Sequence, residues 1–329
     1  MNDKGEGLTV VAAAGDDGMT ARGVLRRAKG VSQRLVRKVA HGEGEGAGAL
    51  YINGHPARFR DRVKVGDEIR LVFPNEKSWI EPEDTPLDVL HEDDSILVVN
   101  KRPGVVVHPT KGHRSGTIAG AIIYHMQQRG ESYKPRFISR LDMDTSGVLL
   151  VGKNSHAQDN LAKQGMAGGV DKLYIAILEG RLEDDLPLSG VIDLPIGLAK
   201  PGEPRRAVIP VEEGGYDSQT EYEVLSESGL LRYARNDTPV IARTASEAQR
   251  DEAIYTVVRA RLITGRTHQI RVHFAHIGHP VLGDHLYGSP TELIGRQALH
   301  AEEIVFAHPV TGQAMRIKAP LPEDIVLLF

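Results

Sequence analysis

Ile138-Ser139-Arg140-Leu141-Asp142-Met143-Asp144-Thr145-Ser146-Gly147-Val148-Leu149-Leu150 sets two carboxylates and three hydroxyls directly before an apolar run. Short polar side chains bond their own backbone and so favour a turn, while the apolar Gly147–Val151 that follows suits a buried strand. Such a turn can aim an acid into a cleft. It can equally be an Asx or Ser/Thr turn that only feeds the strand.

Working outward, Ser95–Asn100 is another short apolar run, closed by the turn Lys101-Arg102-Pro103-Gly104, with Val105–Val107 read as its return strand. Further strands are expected at Tyr174–Leu178, Thr220–Leu225, Ile254–Leu262 and Ile304–Phe306, and helices at Ile118–Gln128, Ala157–Gln164 and Arg271–His276. Strands dominate without regular strand–helix alternation, so the fold class is α+β rather than a doubly wound sheet. Residues 228–250 have mixed polarity and read as an insertion or loop.

Before Ser95 the pattern differs. Val24, Leu25, Val31, Leu35, Val36 and Val39 recur near helical spacing, and Gly30 and Ser32 interrupt them as a stop and a new N-cap. Two helices are therefore expected between Thr20 and Ala40. Beyond the Gly-rich residues 41–48, Leu50–Ile52, the Asn53–Gly54 turn and residues 63–71 suggest short antiparallel strands. The polar stretch from Asn75 to Pro86 suits an extended linker. The expected division is residues 1–75, a linker at 76–86, and a larger domain at 87–329.

The 329 residues suffice for two such domains. With 40% hydrophobic and 26% charged residues the chain is neither disordered nor fibrous. No run approaches the ~20 apolar residues of a membrane span and the first residues lack a secretory pattern, so a cytoplasmic location is expected. The absence of Cys removes thiolate metal sites and cysteine nucleophiles. The net charge of −4 conceals a split: residues 1–75 carry 13 Lys/Arg against 9 Asp/Glu. Arg22, Arg26, Arg27, Lys29, Arg34, Arg37 and Lys38 follow one another with no acid among them. A solvated helix face normally mixes signs, so this run reads as a phosphate-binding surface.

Two further stretches carry chemistry. Asp171-Lys172-Leu173-Tyr174 alternates as a strand, which places Lys172 and Tyr174 on one face, although a strand Tyr is usually packing. Residues 264–285 hold five His within 18 residues, together with Arg266 and Arg271. A metal site would need His273, His276 and His279 to converge from a helix that continues past Gly278; the alternative uses the arginines to hold a phosphate or a carboxylate. Asp144-Thr145-Ser146-Gly147 is similar to the Asp-Thr-Gly of aspartic proteases, but those need a second matching carboxylate loop or a dimer supplying one, and Ser146 breaks the tripeptide.

In order, Arg140-Leu141-Asp142-x-x-Thr145-Ser146-Gly147, Lys172-x-Tyr174-x-Ala176 and Gly265-Arg266-Thr267-His268-Gln269-Ile270-Arg271-Val272-His273 resemble the successive motifs of RluA-type pseudouridine synthases. The likeness extends to Ile96–His108, to residues 278–284 with Tyr287-Gly288, to residues 297–301 and to residues 308–312, and so covers nearly all of 87–329. Residues 20–71 are similar to a small RNA-binding module first recognised in a ribosomal small-subunit protein. Ser139 stands where the family usually has His.

The resemblance implies a catalytic domain built on a mostly antiparallel mixed sheet with a central cleft, preceded by a small α/β module. It implies isomerisation of specific uridines in RNA to pseudouridine without metal or organic cofactor, ribosomal RNA being the expected substrate and transfer RNA the alternative. Asp142 would be the catalytic carboxylate, attacking the ribose or assisting departure of the uracil. Arg271 would pair with it, Tyr174 would stack on the displaced base, and Lys172 would stand beside them. Arg140, Arg266 and His268 would grip flanking phosphates. The protein is expected to work as a monomer and off the membrane. A non-catalytic RNA-binding or ribosome-assembly protein on the same fold is the main rival, with a metallohydrolase third.

Overall fold

The apolar run after the Asp142 turn lies at the centre of a ten-stranded sheet. The computed structural model describes residues 7–42, 46–76, 78–110, 112–182, 187–200, 202–227, 234–235, 238–239 and 255–329. Its N-terminal elements are β1 (Gly7–Val11), α1 (Ala21–Lys29), α2 (Gln33–Ala40), β2 (Ala49–Ile52), β3 (His55–Pro56) and β4 (Glu68–Val72). The strands form an antiparallel sheet in the order β1-β4-β2-β3. Thr20 and Ser32 cap the two helices by accepting from Gly23 N and Leu35 N, and Gly30 ends the first with φ of 65°. Asn53 (φ 50°) and Gly54 (φ 77°) make the tight turn, and Asn53 Nδ2 donates to Asp67 Oδ1 at 2.8 Å. Leu8, Val24, Leu25, Leu35, Val36, Ile69 and Leu71 pack into a core separate from the larger one.

The remaining elements are β5 (Val89–Glu92), β6 (Ile96–Lys101), α3 (Ile118–Gln128), β7 (Arg136–Phe137), β8 (Ser146–Gly152), α4 (Ser155–Met166), β9 (Asp171–Glu179), β10 (Ser189–Asp193), β11 (Ile196–Leu198), β12 (Arg206–Val208), β13 (Gln219–Glu227), β14 (Ala234–Arg235), β15 (Thr238–Pro239), β16 (Tyr255–Leu262), α5 (Gln269–His276), β17 (Leu299–Ala307), β18 (Ala314–Lys318) and α6 (Glu323–Val326). The large sheet runs β10-β13-β16-β9-β17-β8-β6-β5, with β18 on β17 and β7 on β8. Every pairing in it is antiparallel except β17–β8, which is parallel through His300↔Ser146 and Ala301↔Gly147. The α+β expectation and its mostly antiparallel sheet hold. At the parallel contact Gly147 has φ of 111°, and a Cβ there would lie 2.1 Å from the Ala301 carbonyl oxygen, so only glycine fits.

Two expectations need correction. Val105–Val107 does not return along β6; its Val106 and Val107 carbonyls accept from Ile118 N and Ala119 N at the start of α3, and Val105 O accepts from Lys101 Nζ. The backbone is satisfied by the helix start and a lysine instead of a ladder, because Pro103-Gly104 turns the chain away from the sheet. Residues 63–71 are not one strand: Gly66 (φ 86°) lies in a turn and only Glu68–Val72 pairs. Conversely β1, β5, β10 and β18 form where no strand is expected, although the alternating burial of β1 and β18 follows their residue pattern. Ile254 and most of residues 228–250 lie outside the described residues. Among the described residues of 76–86 there is no regular element, yet Ile80 is buried and Glu76 pairs with Lys38 and Arg136. Among the described residues no helix is long and apolar enough to cross a membrane.

Candidate active site

Arg271 sits in the first turn of α5 and is buried, with only 8% of its side chain exposed. Its Nε donates to Asp284 Oδ2 at 2.6 Å and its Nη2 to Asp284 Oδ1 at 2.8 Å. The third nitrogen, Nη1, donates to Asp142 Oδ2 at 2.9 Å. Burial opposes the charge of Arg271, but the hydrogen bonds and charges of Asp284, then of Asp142, outweigh it and hold the guanidinium firmly protonated. Burial likewise opposes ionisation of Asp284, and Arg271 overcomes it, keeping that carboxyl below its ordinary range. The Tyr287 ring covers the guanidinium at 5.1 Å, and its hydroxyl accepts from Arg206 N and bonds His268 Nδ1 at 2.9 Å.

The Asp142 loop is fixed from its backbone. Lys101, fully buried at the end of β6, donates to Met143 O at 2.6 Å, Val105 O at 2.7 Å and Arg102 O at 2.9 Å. On the other side Arg296 Nη1 donates to Asp144 O at 2.9 Å while Asp324 holds the same guanidinium. Two buried cations thus grip the two residues that follow Asp142, whose own carboxylate stays 26% exposed. Burial pushes the Lys101 ammonium down to about 7, against the pull of Asp144 and Asp142.

Facing the carboxylate across a narrow recess of about 50 Å³ is Tyr174, on β9. Burial first, and the charge of Asp142 second, push its phenol well above the ordinary value, so it stays protonated. The recess is the floor of a wider cleft of about 420 Å³ bordered by His108, Phe137, Arg140, Lys172, Arg266 and His268. Burial lowers the Lys172 ammonium, which has no carboxylate partner among the described residues. His268 opens α5 with a left-handed φ of 59°, which turns its ring toward the cleft, 3.9 Å from Asp142 Oδ1. Burial lowers its pKa, with Asp142 pulling it up and Arg271 pushing it down. Gln269 braces the preceding turn by accepting from Arg266 N and Thr264 Oγ1, both at 2.9 Å.

The structure therefore brings Asp142, Tyr174, Arg271, Lys172, Arg140, Arg266 and His268 to one cleft. Arg266 stands at its exposed rim, its guanidinium over the Tyr216 ring at 5.5 Å. The basic run on α1 and α2 lies elsewhere. Arg22, Arg26, Arg34 and Arg37 are exposed, whereas Arg27 is tied to Asp16, Lys38 to Glu76, and Lys29 reaches Val310 O at 3.0 Å. The His-rich stretch does not converge: His273 bonds Thr220 and Leu194 O, while His279 faces Glu179 O. Among the described residues no three His, Asp or Glu side chains cluster as metal ligands. Asp284, Tyr287, Lys101 and Arg296 are the parts of the site that residue patterns did not reveal. The first two stand in a recognised motif without a role, and Lys101 reads as a turn residue.

A polar, cation-rimmed cleft with one ion-paired carboxylate and one buried phenol stands on a mostly antiparallel sheet with β17–β8 as its parallel pair, and this fold is that of the pseudouridine synthases. Human RNA Pseudouridylate Synthase Domain Containing 1 shares it with a TM-score of 0.53 at 24% identity, over 74% of this chain and 86% of that one. Human RNA Pseudouridylate Synthase Domain Containing 4 gives 0.52 at 20% identity, over 73% and 91%. Residues 95–276 match the RNA pseudouridylate synthase family. The chain is 37% identical over 302 residues to the RNA pseudouridine synthase YjbO of Bacillus subtilis, covering 91% of this chain and 95% of that protein. It is 35% identical over 299 residues to ribosomal large subunit pseudouridine synthase D of Xanthomonas campestris, covering 86% and 81%. The chain belongs to the RNA pseudouridine synthase family, whose enzymes isomerise uridine in RNA.

Proposed function

We propose that the chain modifies ribosomal large-subunit RNA, using Asp142 as the catalytic carboxylate in a route that needs no metal or organic cofactor. The Arg271 bridge carries this reading: a buried Asp284 fixes two nitrogens of the guanidinium, and the third aims at Asp142 from 2.9 Å. A carboxylate held in that way, beside a recess floored by an aromatic ring, suits a uridine whose N1–C1′ bond must break. The freed uracil turns, C5 bonds to C1′, C5 gives up its proton and N1 gains one, so the isomerisation balances without a redox partner. Tyr174 stacks on the displaced base and Lys172 neutralises charge beside it. Arg140, Arg266 and His268 take the phosphates of a strand whose target has been flipped out, at a cost of about a few kcal/mol.

The ribosomal target follows the activity named for the relatives from Xanthomonas and from Pasteurella multocida, the latter 35% identical over 295 residues. Residues 1–75 act as an RNA-binding module of the ribosomal-protein type, joined by residues 76–86 to a catalytic domain at 87–329, in a monomer. Their phosphate contacts offset the acidic surplus of the larger domain. The test is purified protein on large-subunit RNA transcripts with EDTA present: pseudouridine should form at discrete positions, and Asp142→Asn should form none while still binding RNA. Equal activity in that variant contradicts the assignment.

A further inference from the structure

We propose that Trp79, His108 and Phe137 form a stacking site for one unpaired nucleobase of the strand that enters the catalytic cleft, with Arg34, Lys134 and Arg140 following its phosphates. This rests on the reading that the Asp142 cleft takes RNA.

Trp79 is the chain's only tryptophan and is 68% exposed, and the His108 ring beside it is exposed as well, so the two present aromatic surface to solvent. Its ring meets His108 edge-on at 5.7 Å, and His108 meets Phe137 edge-on at 6.2 Å. Only the far end of this ladder, Phe137, is anchored in the core. His108 and Phe137 also border the catalytic cleft, and both, with Arg140, border a second cleft of about 730 Å³ between α2 and the β7–α4 region. The two clefts thus meet at His108, Phe137 and Arg140, and Trp79 stands just outside both, against the His108 ring.

The charge of the second cleft selects the occupant. Arg34, Lys38, Lys134, Arg136 and Arg140 face Glu76 and Asp159 there. Glu76 is already shared by Lys38 and Arg136, which leaves the Arg34, Lys134 and Arg140 cations in excess over one carboxylate. A cationic groove interrupted by exposed aromatic rings is what a single-stranded nucleic acid requires, the cations meeting its phosphates and the rings its bases. A duplex offers phosphates but no free base face, so the aromatic ladder would go unused.

The full-length protein and an oligouridine of about 12 nucleotides, within the range of such binding sites, provide the test. Emission of the lone tryptophan should be quenched saturably by the oligouridine and little by an RNA duplex of equal length. Trp79→Ala should weaken oligouridine binding, read by anisotropy of a labelled strand, at least ~5-fold, and Trp79→Phe should restore most of it. Arg34→Ala should lower the salt slope by about one. Trp79 is exposed, so these variants leave the core packing intact.

Absence of binding, binding without a change in emission, equal quenching by duplex, or an unchanged affinity in Trp79→Ala would each overturn the stacking site. Failure of the catalytic reading looks different: the wild-type protein would form no pseudouridine on ribosomal transcripts even though quenching and the Trp79→Ala defect remained.

Discussion

Arg271 reaches Asp142 with a single nitrogen because Asp284 occupies the other two. Lysine has one donor centre and cannot bridge two carboxylates in this planar way. Arg271→Lys should therefore lower kcat at least ~10-fold while RNA affinity changes little, checked by single-turnover kinetics beside a binding titration. Near wild-type turnover would show that the geometry of the bridge is unimportant.

Asp284 is fully buried, and its neutralisation strands a buried guanidinium charge. Asp284→Ala is expected to cost about 3–5 kcal/mol of stability, read from urea unfolding, in addition to impaired catalysis. A loss below ~1 kcal/mol would mean that water replaces the carboxylate readily.

Lys101 joins the end of β6 to the loop of Asp142 through Met143 O. Lys101→Met keeps the length of the side chain and leaves three carbonyls without a donor, so stability should fall by about 1–3 kcal/mol. In whatever folded protein remains, kcat should fall more than KM rises, since the loop that aims Asp142 loses its tether.

These tethers join residues that lie far apart in the chain. Asp142 and Arg271 lie 129 residues apart, and only ordered motifs with a family resemblance linked them before the fold did. The α+β class was legible because apolar runs such as Val148–Val151 stand out from their turns. Val105–Val107 misled because three apolar residues after a tight turn match a hairpin return, whereas the start of α3 claims the carbonyls of Val106 and Val107 and Lys101 claims that of Val105. A buried Lys101 cannot be recognised from its neighbours, because its burial depends on the Asp142 loop passing over it. The basic run on α1 and α2 was plain, but its division between exposed arginines and interface contacts depends on how residues 310 and 76 pack.

Acid sensitivity should trace partly to His300. Burial drives its pKa down to about 4, with its Nδ1 at 2.9 Å from Ser146 Oγ. A histidine depressed in the native state binds its proton more readily once unfolded, so its stabilising effect is complete above about 6.5 and is lost as the pH falls toward 4. That difference amounts to roughly 3 kcal/mol. His300→Gln should flatten the decline in urea midpoint over this window; an unchanged slope would assign acid sensitivity to His156, His268 and His273, which burial also lowers.

Arg22, Arg26, Arg34 and Arg37 are exposed on α1 and α2. Their joint replacement by alanine should weaken RNA binding uniformly across sequences and reduce the slope of log affinity against log salt by about one for each phosphate no longer neutralised. An unchanged slope would place the phosphate contacts outside the N-terminal module.

The most direct measurement is a pseudouridine map of ribosomal RNA, by selective derivatisation and reverse-transcription stops, from cells with the gene intact, deleted, or encoding Asp142→Asn. The expected result is loss of the same discrete large-subunit sites in the deletion and in Asp142→Asn. Sites lost on deletion but retained with Asp142→Asn would contradict Asp142 as the catalytic group.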